Sequence, residues 1–342
     1  MLLALSVLAG GLLAFTGCSP GGSSGGQSGT KNGEEARDGF AMDTYYSIRA
    51  YDVTGSTLDA AVDSLRTMED LLSVTIETSD IATLNRSGKA TVDPLTKDLL
   101  EGALGLCEET GGALDVTVYP VLRAWGFTTG EHRVPSEAEL AALLKRVGYR
   151  NVSIEGDTVT VPDGVMVDLG SVAKGFACDR MREILAEGGA SSTLIDFGGN
   201  ICAIGSKPDG SPWKIGIRSP EGEGLAGALS VTDECVVTSG GYERYFEDAD
   251  GNVWWHILDP KTGYPAKNGL ISVTIVGTSG IRCDALSTAL FVMGTEKAVA
   301  FWREKGGFEM VLITEDGELL LTPGLEDRFV PNSLMTYPVK VL

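Results

Sequence analysis

Histidine and basic residues are scarce in this sequence. Its 342 residues include two His, His132 and His256, which excludes a histidine-rich metal site. Lys and Arg number 27 against 47 Asp and Glu, so the formal net charge is -20. Because a field of that sign repels phosphates, nucleic acid and anionic membrane surfaces are disfavoured as general partners. A phosphate ester would have to be held locally, by a cation, a few Lys or Arg side chains, or helix N-termini.

Common nucleotide and hydrolase signatures are missing too. The sequence has no Walker A motif and no G-x-S-x-G elbow. One G-x-G-x-x-G match, at 222–227, follows Ser-Pro-Glu rather than a strand, and we expect a loop there. Any function must therefore come from other segments.

The first apolar run is short and has no Lys or Arg before it. It is too short for a comfortable membrane span and fits an export signal that ends in Phe-Thr-Gly before Cys18. We expect residues 1–17 to be a signal peptide and Cys18 to be lipidated. Residues 18–39 would form a flexible Gly/Ser-rich tether, and 40–342 one domain outside the cytoplasm. An uncleaved anchor or a soluble exported form is the alternative.

The five remaining cysteines are odd in number and show no C-x-x-C spacing; they are Cys107, Cys178, Cys202, Cys235 and Cys283. Exported disulfide frameworks usually use even counts. We therefore expect buried free thiols.

Helix and strand patterns are mixed along residues 40–342. Helical spacing of apolar residues predicts helices over 57–72 and 95–110, and Ser136 with Glu139 forms a capping-box signature. A hairpin is expected at 151–161, and a strand at 165–169 that leads into a helix from about Ser171. Further strands are expected at 193–197, 213–217, 235–238, 253–258, 272–276, 310–314 and 319–322, and helices at 283–293 and 296–305. The predicted class is α+β, one domain of mixed, largely antiparallel sheets packed with helices.

The segment from Asp168 to Asp179 could bind an anion. A strand is expected to end there, Gly170 permits a tight turn, and a helix opens with Ser171 and Lys174 in its first turn. Free N–H groups and the Lys174 ammonium suit a phosphate. An ordinary strand–turn–helix with a surface lysine fits the pattern equally well.

Two other segments carry oxygen and nitrogen ligands. Asp284 and Thr288 stand at i and i+4 on one helical face, and hard oxygen ligands suit Mg²⁺. The structural alternative is a helix cap and a back-bonded threonine. The Pro- and Gly-containing turn at 256–265 presents His256, Asp259 and Thr262 close together, although a lone His at such a place is more often structural.

A fourth segment, at 111–127, contains Ala113, Leu114 and Asp115 and continues to Trp125 and Phe127. It could be the wall for a large planar ligand or a strand with a hydrophobic patch.

The order of these motifs resembles the ApbE family of FAD:protein FMN transferases. The matching stretches are Asp-Leu-Gly-x-x-Ala-Lys-Gly at 168–175, Asp-Phe-Gly-Gly-Asn at 196–200, Thr-Ser-Gly-x-Tyr-Glu-Arg at 238–244, His-Ile-Leu-Asp-Pro-x-Thr-Gly-Tyr-Pro at 256–265, and Asp-Ala-Leu-Ser-Thr-Ala at 284–289. Met-Asp-Thr at 42–44 and the segment 79–85 are similar to the family's opening motifs. Family members are often exported lipoproteins with an ApbE-like, T-fold-like α+β domain.

The resemblance implies roles for individual residues. Asp284, Thr288 and a backbone carbonyl near Ala173 would hold Mg²⁺. The remaining contacts it implies for FAD are Met42, Thr75, Ala113, Leu114, Asp115, Asp168, Ser171, Lys174, His256, Ile257 and Thr262. Lys174, His256 and Asp259 would carry the chemistry, with His256 as the best acid/base candidate. Thr75 departs from the family's aromatic position, so Trp125 or Tyr242 is expected to supply the stacking if it is kept.

The implied reaction moves the FMN part of FAD onto a Thr or Ser hydroxyl of a target flavoprotein and releases AMP. The target would be a subunit of a membrane electron-transport complex or an exported flavoprotein, and a lipid anchor would hold the protein at the membrane. Hydrolysis of FAD to FMN and AMP is the first alternative. A flavin-storing lipoprotein without catalysis is the second.

Overall fold

The computed structural model describes residues 33–342 except 221, 223, 335 and 336. The predicted signal peptide, Cys18 and most of the predicted tether lie outside these residues. The helices are α1 Gly55–Leu72, α2 Asp80–Ser87, α3 Pro94–Glu109, α4 Tyr119–Trp125, α5 Glu137–Leu143, α6 Ala173–Glu187, α7 Gly280–Met293 and α8 Thr295–Lys305.

Seventeen strands are described. They are β1 Glu34–Ala41, β2 Thr44–Tyr51, β3 Lys89–Thr91, β4 Ser153–Glu155, β5 Thr158–Thr160, β6 Ser192–Phe197, β7 Asn200–Ile204, β8 Trp213–Arg218, β9 Leu225–Val231, β10 Cys235–Gly240, β11 Tyr245–Glu247, β12 Val253–Trp255, β13 Leu270–Gly277, β14 Glu309–Thr314, β15 Leu319–Leu321, β16 Phe329–Pro331 and β17 Val339–Val341.

A nine-stranded sheet forms the middle of the described fold. Its order is β1-β2-β6-β7-β10-β13-β14-β15-β17, and each neighbouring pair is antiparallel except β15 with β17. Smaller sheets join β16-β9-β8, β3-β5-β4 and β11-β12. The α+β class with largely antiparallel sheets is therefore confirmed.

Successive side chains of the large sheet reach two different cores, because neighbours along a strand point to opposite faces. On β10, Val237 joins the main core, which the helices α1, α6 and α7 cover. Val236 points the other way and packs with Trp213 and Leu229 of the β16-β9-β8 sheet. The result is three layers, with the large sheet between helices and a small sheet.

Local sequence signals placed several elements correctly. The apolar stripe of α1 is buried, and the side chain of Ser136 accepts a hydrogen bond from the Glu139 N–H, as the capping box predicts. The hairpin at 151–161 is formed by β4 and β5. Among the described helices, none is both long and apolar enough to cross a membrane.

The strand expected at 165–169 is absent. The Val167 N–H and C=O instead bond to the Asn85 side chain at 2.6 and 2.7 Å, and the Asp168 N–H donates to the Val116 carbonyl at 2.8 Å. An amide side chain therefore takes the place of a partner strand. Helix α6 also begins at Ala173, later than the expected Ser171.

Strands also occur in two segments that were expected to lack them. Strand β1 begins at Glu34, inside the segment expected to be tether, because its polar side chains find partners on neighbouring elements. Arg37 contacts Asp59 at 2.8 Å, and the Tyr51 hydroxyl donates to Glu34 at 2.9 Å. The last part of the glycine-rich match at 222–227, expected to be loop, belongs to β9.

The prediction of free thiols is wrong for two cysteines. Cys202 and Cys235 stand directly opposite each other on β7 and β10, with 4.0 Å between their Cα atoms, and form a disulfide. Strand register brings them together, and neither their number nor their spacing reveals it. Cys107, Cys178 and Cys283 are free and buried, as expected.

Candidate active site

The site begins where helices α6 and α7 cross. A Cβ on Gly175 would lie 2.2 Å from the Gly280 carbonyl oxygen, and a Cβ on Gly280 would lie 2.4 Å from the Gly175 carbonyl oxygen. Only glycine lets the two backbones approach this closely. The crossing brings the first turn of α6 against the side chain of Asp284, whose Oδ2 accepts a hydrogen bond from the Gly175 N–H at 2.8 Å.

Asp179 fixes the start of α7. Its Oδ1 accepts from the Gly280 N–H at 2.7 Å and its Oδ2 from the Ile281 N–H at 3.0 Å. A carboxylate at a helix N-terminus satisfies free N–H groups and complements the helix dipole. Asp179 on α6 therefore sets the position of the face that carries Asp284 and Thr288.

Asp284 is a buried carboxylate, 4% exposed. Burial raises its pKa, while the Lys174 ammonium and the Gly175 N–H act to lower it. Among the described ion pairs none includes Asp284. A buried carboxylate without a salt-bridge partner is favoured as a cation ligand.

Oxygen atoms from β10 and α7 lie next to it. The Ser239 hydroxyl is 2.8 Å from the Ser287 hydroxyl and 3.5 Å from that of Thr288. Thr288 keeps its place on the face of Asp284, as the i, i+4 spacing predicts. Ala173, the predicted backbone ligand, is buried at the first turn of α6.

A set of hard oxygen donors is present, but it contains a single carboxylate. The described residues hold no group of three or more His, Cys, Asp or Glu that could bind a metal. Mg²⁺ often takes only one or two protein carboxylates and keeps positions for water and substrate phosphates. The donor set at Asp284, Thr288 and Ala173 fits that ion.

The anion-binding prediction concerns the start of α6. Lys174 influences the pKa of both Asp284 and His256, so three segments of the sequence meet here. Ser171 lies in the turn before the helix, and no side chain caps the helix start at Val172. The Ala173 N–H donates to the Leu169 carbonyl and the Gly175 N–H to Asp284, so the Lys174 ammonium is the group at this helix start that suits a phosphate.

Asp168 supports the turn before that helix. Its Oδ1 accepts from the Gly170 N–H at 2.8 Å, and burial raises its pKa.

His256 follows β12 and has a low pKa. Its Nδ1 lies 3.2 Å from the Arg244 carbonyl oxygen, which can only accept, so Nδ1 carries the proton and Nε2 keeps a lone pair. Burial, with the charges of Arg244 and Lys174 as further causes, lowers the His256 pKa to about 4. The imidazole is therefore neutral at pH 7 and can act as a base.

The other predicted members of this turn are used within it. Asp259 Oδ1 accepts from the Lys261 N–H at 2.9 Å, and the Thr262 hydroxyl accepts from the Tyr264 N–H at 3.3 Å. Ile257 is buried, and its carbonyl accepts from the Ala266 N–H. These contacts give the turn its shape, and a direct role for the three residues stays a prediction.

Trp125 cannot supply the stacking expected of it. It is fully buried between Trp254 and Tyr264, with ring centroids 5.1 and 5.8 Å away, and its indole N–H donates to the Gly263 carbonyl. Its place in the core secures the 256–265 turn. Tyr242 is half-buried with Arg218 over its ring at 5.8 Å, and its role in stacking stays a prediction.

The segment expected as a ligand wall is largely internal. Ala113, Leu114 and Asp115 are buried, and Asp115 accepts hydrogen bonds from the Thr117 and Tyr149 N–H groups. Residues 119–125 form helix α4, so the strand considered there is absent.

Thr75 lines a cavity of about 530 Å³. Its lining includes Thr75, Tyr119, Arg123, Asn85 and Met166. This volume is within the range of pockets for small molecules. Tyr119 was missed by sequence reasoning; it places an aromatic ring on the cavity that Thr75 cannot provide.

Met42 occupies a strained turn. Met42 and Asp43 connect β1 and β2 and have φ values of 49° and 58°, the left-handed region that disfavours side chains other than Gly, Asn and Asp. Met42 packs against the main core. A strained, partly buried methionine is consistent with a ligand contact.

Glu243 was also missed, although its motif was recognised. Desolvation raises its pKa, and Lys174 and Arg244 are the next causes, acting to lower it. It is a further carboxylate of the Lys174 neighbourhood.

The fold and this site define an α+β protein in which a buried carboxylate, hydroxyl groups and a lysine lie near one another, and comparison with known proteins identifies its family. The ApbE family model matches residues 42–312, and the chain belongs to the ApbE family. It is 36% identical over 304 residues to a FAD:protein FMN transferase of Treponema pallidum, covering 83% of this chain and 84% of that protein. A Klebsiella pneumoniae protein of the same name is 32% identical over 275 residues, covering 78% of this chain and 85% of that protein.

Solved structures agree. The ApbE protein from Thermotoga maritima superposes with a TM-score of 0.79 at 35% identity, covering 84% of this chain and 96% of that one. The flavinyl transferase ApbE of Pseudomonas stutzeri gives 0.76 at 30% identity, with 88% and 94% covered.

Proposed function

We propose that this protein transfers the FMN part of FAD to a Thr or Ser hydroxyl of a target flavoprotein, in a reaction that requires Mg²⁺ and releases AMP. The observation that carries the proposal is the buried Asp284, held by the Gly175 N–H beside Lys174. The relatives named FAD:protein FMN transferase support the reaction.

Asp284, Thr288 and the Ala173 carbonyl would hold the ion. When bound, Mg²⁺ supplies positive charge to the pyrophosphate oxygens. Lys174 at the start of α6 would bind the same phosphates, because it supplies local positive charge in an otherwise acidic protein.

His256 would take the proton of the acceptor hydroxyl at Nε2. The hydroxyl oxygen then forms a bond to the FMN-side phosphorus, and the bond from that phosphorus to the AMP oxygen breaks. The low pKa of His256 keeps Nε2 unprotonated at neutral pH. The target would be a subunit of a membrane electron-transport complex or an exported flavoprotein.

We also propose that the protein acts outside the cytoplasm and is anchored through a lipid on Cys18. The Cys202–Cys235 disulfide supports an oxidising compartment, where such bonds persist.

Replacement of the central carboxylate tests the proposal. Asp284→Ala should lower Mg²⁺-dependent FAD turnover by on the order of 100-fold or more, since it removes the charge that holds the ion. Asp98→Ala, the same change on an exposed position of α3, is the matched control and should leave turnover unchanged. Equal turnover in the two variants would contradict the assignment.

A further inference from the structure

Asn200 has a buried carboxamide that lacks hydrogen-bond partners of normal geometry among the described residues. It opens β7, directly after the Gly198-Gly199 turn, and its side chain is in the interior at 1% exposure. Neither Oδ1 nor Nδ2 makes a hydrogen bond of normal geometry to any described residue. An unpaired buried polar atom typically costs about 1–3 kcal/mol, so native structures rarely keep a whole carboxamide in this state.

The backbone around Asn200 is firmly held. Its carbonyl lies 3.7 Å from the Cys178 sulfur, whose S–H donates to it, and β7 pairs with β6 and β10 on either side. The disulfide between Cys202 and Cys235 joins β7 to β10. The side chain is thus fixed in place without being satisfied.

The carboxamide lies beside Asp284. Asn200 stands opposite Val237 of β10, whose side chain joins the main core under α6 and α7, so the carboxamide points to the face of the sheet that these helices cover. The Asn200 carboxamide also acts to lower the pKa of the Asp284 carboxyl, although the two groups do not meet normal hydrogen-bond geometry. Ser239 on the neighbouring strand β10 reaches Thr288 on α7, so β7, β10 and α7 all contribute polar atoms to one region.

We propose that Asn200 is a further ligand of the divalent cation, binding through Oδ1 beside Asp284 and Thr288. This inference rests on the proposed function. A neutral carboxamide oxygen is a hard donor of the kind Mg²⁺ accepts, and it adds no negative charge to a site that must also admit a pyrophosphate. Nδ2 is then left to donate to a substrate oxygen, which satisfies both atoms.

A metal-binding role and a structural role for Asn200 predict opposite effects of its replacement on the stability of the metal-free protein. A structural asparagine stabilises the protein through its hydrogen bonds, and replacing it with an apolar residue of similar size weakens the fold. A carboxamide kept unpaired for a ligand does the opposite, because its removal relieves the cost of an unsatisfied buried group.

The test measures Mn²⁺ binding by electron paramagnetic resonance without FAD, and urea unfolding of the metal-free protein. Asn200→Leu should weaken Mn²⁺ binding ten- to a hundred-fold, on the order seen when partners of metal sites are removed. Its metal-free form should be at least as stable as the wild type. Asn200→Asp, which keeps an oxygen at the same place, should bind Mn²⁺ at least as tightly as the wild type.

Asn268→Leu is the matched control. The Asn268 Nδ2 donates to the Val292 carbonyl at 2.6 Å, so this variant should be less stable and should bind Mn²⁺ normally.

Two results would overturn the role of Asn200: unchanged Mn²⁺ affinity in Asn200→Leu, or a loss of affinity of more than ten-fold in Asn200→Asp. If Asp284→Ala still abolishes Mn²⁺ binding in that case, the proposed metal site itself stands. Absence of Mn²⁺ binding in the wild type would overturn the proposed metal site as well.

Discussion

The close approach of α6 to α7 at Gly175 and Gly280 predicts the effect of adding one methyl group at Gly175. In Gly175→Ala, the new Cβ would lie 2.2 Å from the Gly280 oxygen and 2.7 Å from the Asp284 Cβ. Cβ atoms essentially never approach other atoms within 3.0 Å, so the helices must part by about 0.8 Å. The obstacle is backbone rather than a flexible side chain, and it cannot turn away.

Two consequences follow from the separation of α6 and α7. Overpacking of this kind costs about 1–3 kcal/mol of unfolding free energy. A displacement near 1 Å of catalytic groups lowers turnover on the order of 100-fold, because the Gly175 N–H and Asp284 no longer meet in the same geometry.

The measurements are urea unfolding and FAD turnover with Mg²⁺. Gly105→Ala on α3 is the control, since a Cβ there meets nothing within 4 Å. It should keep full turnover and gain about 0.5–1 kcal/mol, as expected when Ala replaces Gly within a helix. If Gly175→Ala matched the control in both measurements, the helix crossing would not be what positions Asp284.

Three other predictions concern pH, the disulfide and the cap of α7. On the acid side of the pH profile, kcat/KM should fall only as the pH approaches about 4, because the His256 pKa is about 4 in the fold. His256→Gln should remove this decrease. A decrease centred near pH 6.5 in the wild type would refute the low pKa. This pKa lies below the ordinary value of 6.5, so between pH 6.5 and about 4 the unfolded chain binds more protons than the folded protein. The free energy of unfolding should therefore decrease as the pH is lowered from 6.5 to about 4. Cys202→Ser should lower the unfolding free energy by up to about 4 kcal/mol, the entropic effect expected for a bridge between cysteines 33 residues apart. Cys107→Ser breaks no bridge and should not show this entropic loss. Equal losses in the two variants would argue against the bridge. Asp179→Ala should lower stability by about 1–2 kcal/mol and weaken Mn²⁺ binding, and normal metal binding with reduced stability would limit Asp179 to capping.

Local patterns in the sequence predicted what depends on nearby residues. The stripe of α1, the cap at Ser136 and the shared face of Asp284 and Thr288 follow from helical periodicity alone. The order of the motifs was enough to indicate the family.

Features that join distant segments could not be predicted in this way. Gly175 meets Gly280 and Asp179 caps α7 across about a hundred residues, so no local spacing shows either contact. The Asn85 side chain that replaces a strand partner for Val167 is equally non-local.

Predictions from composition were also wrong where polar groups find partners within the fold. The Gly/Ser-rich segment up to residue 39 indicated a tether, yet the charged residues of β1 form ion pairs with β2 and α1 that hold them in an edge strand. Trp125 was expected at a ligand surface, but its indole N–H finds a partner in the core at Gly263.

The most direct test of the proposed transfer compares FAD turnover with and without an acceptor. The protein is incubated with FAD and Mg²⁺, alone or with a flavin-carrying subunit of an electron-transport complex, and both AMP and covalent flavin fluorescence on the denatured acceptor are measured. We predict AMP and covalent flavin in equal amounts, and only when the acceptor is present. AMP released equally without acceptor would contradict transfer in favour of hydrolysis, and no AMP in either reaction would leave only flavin binding.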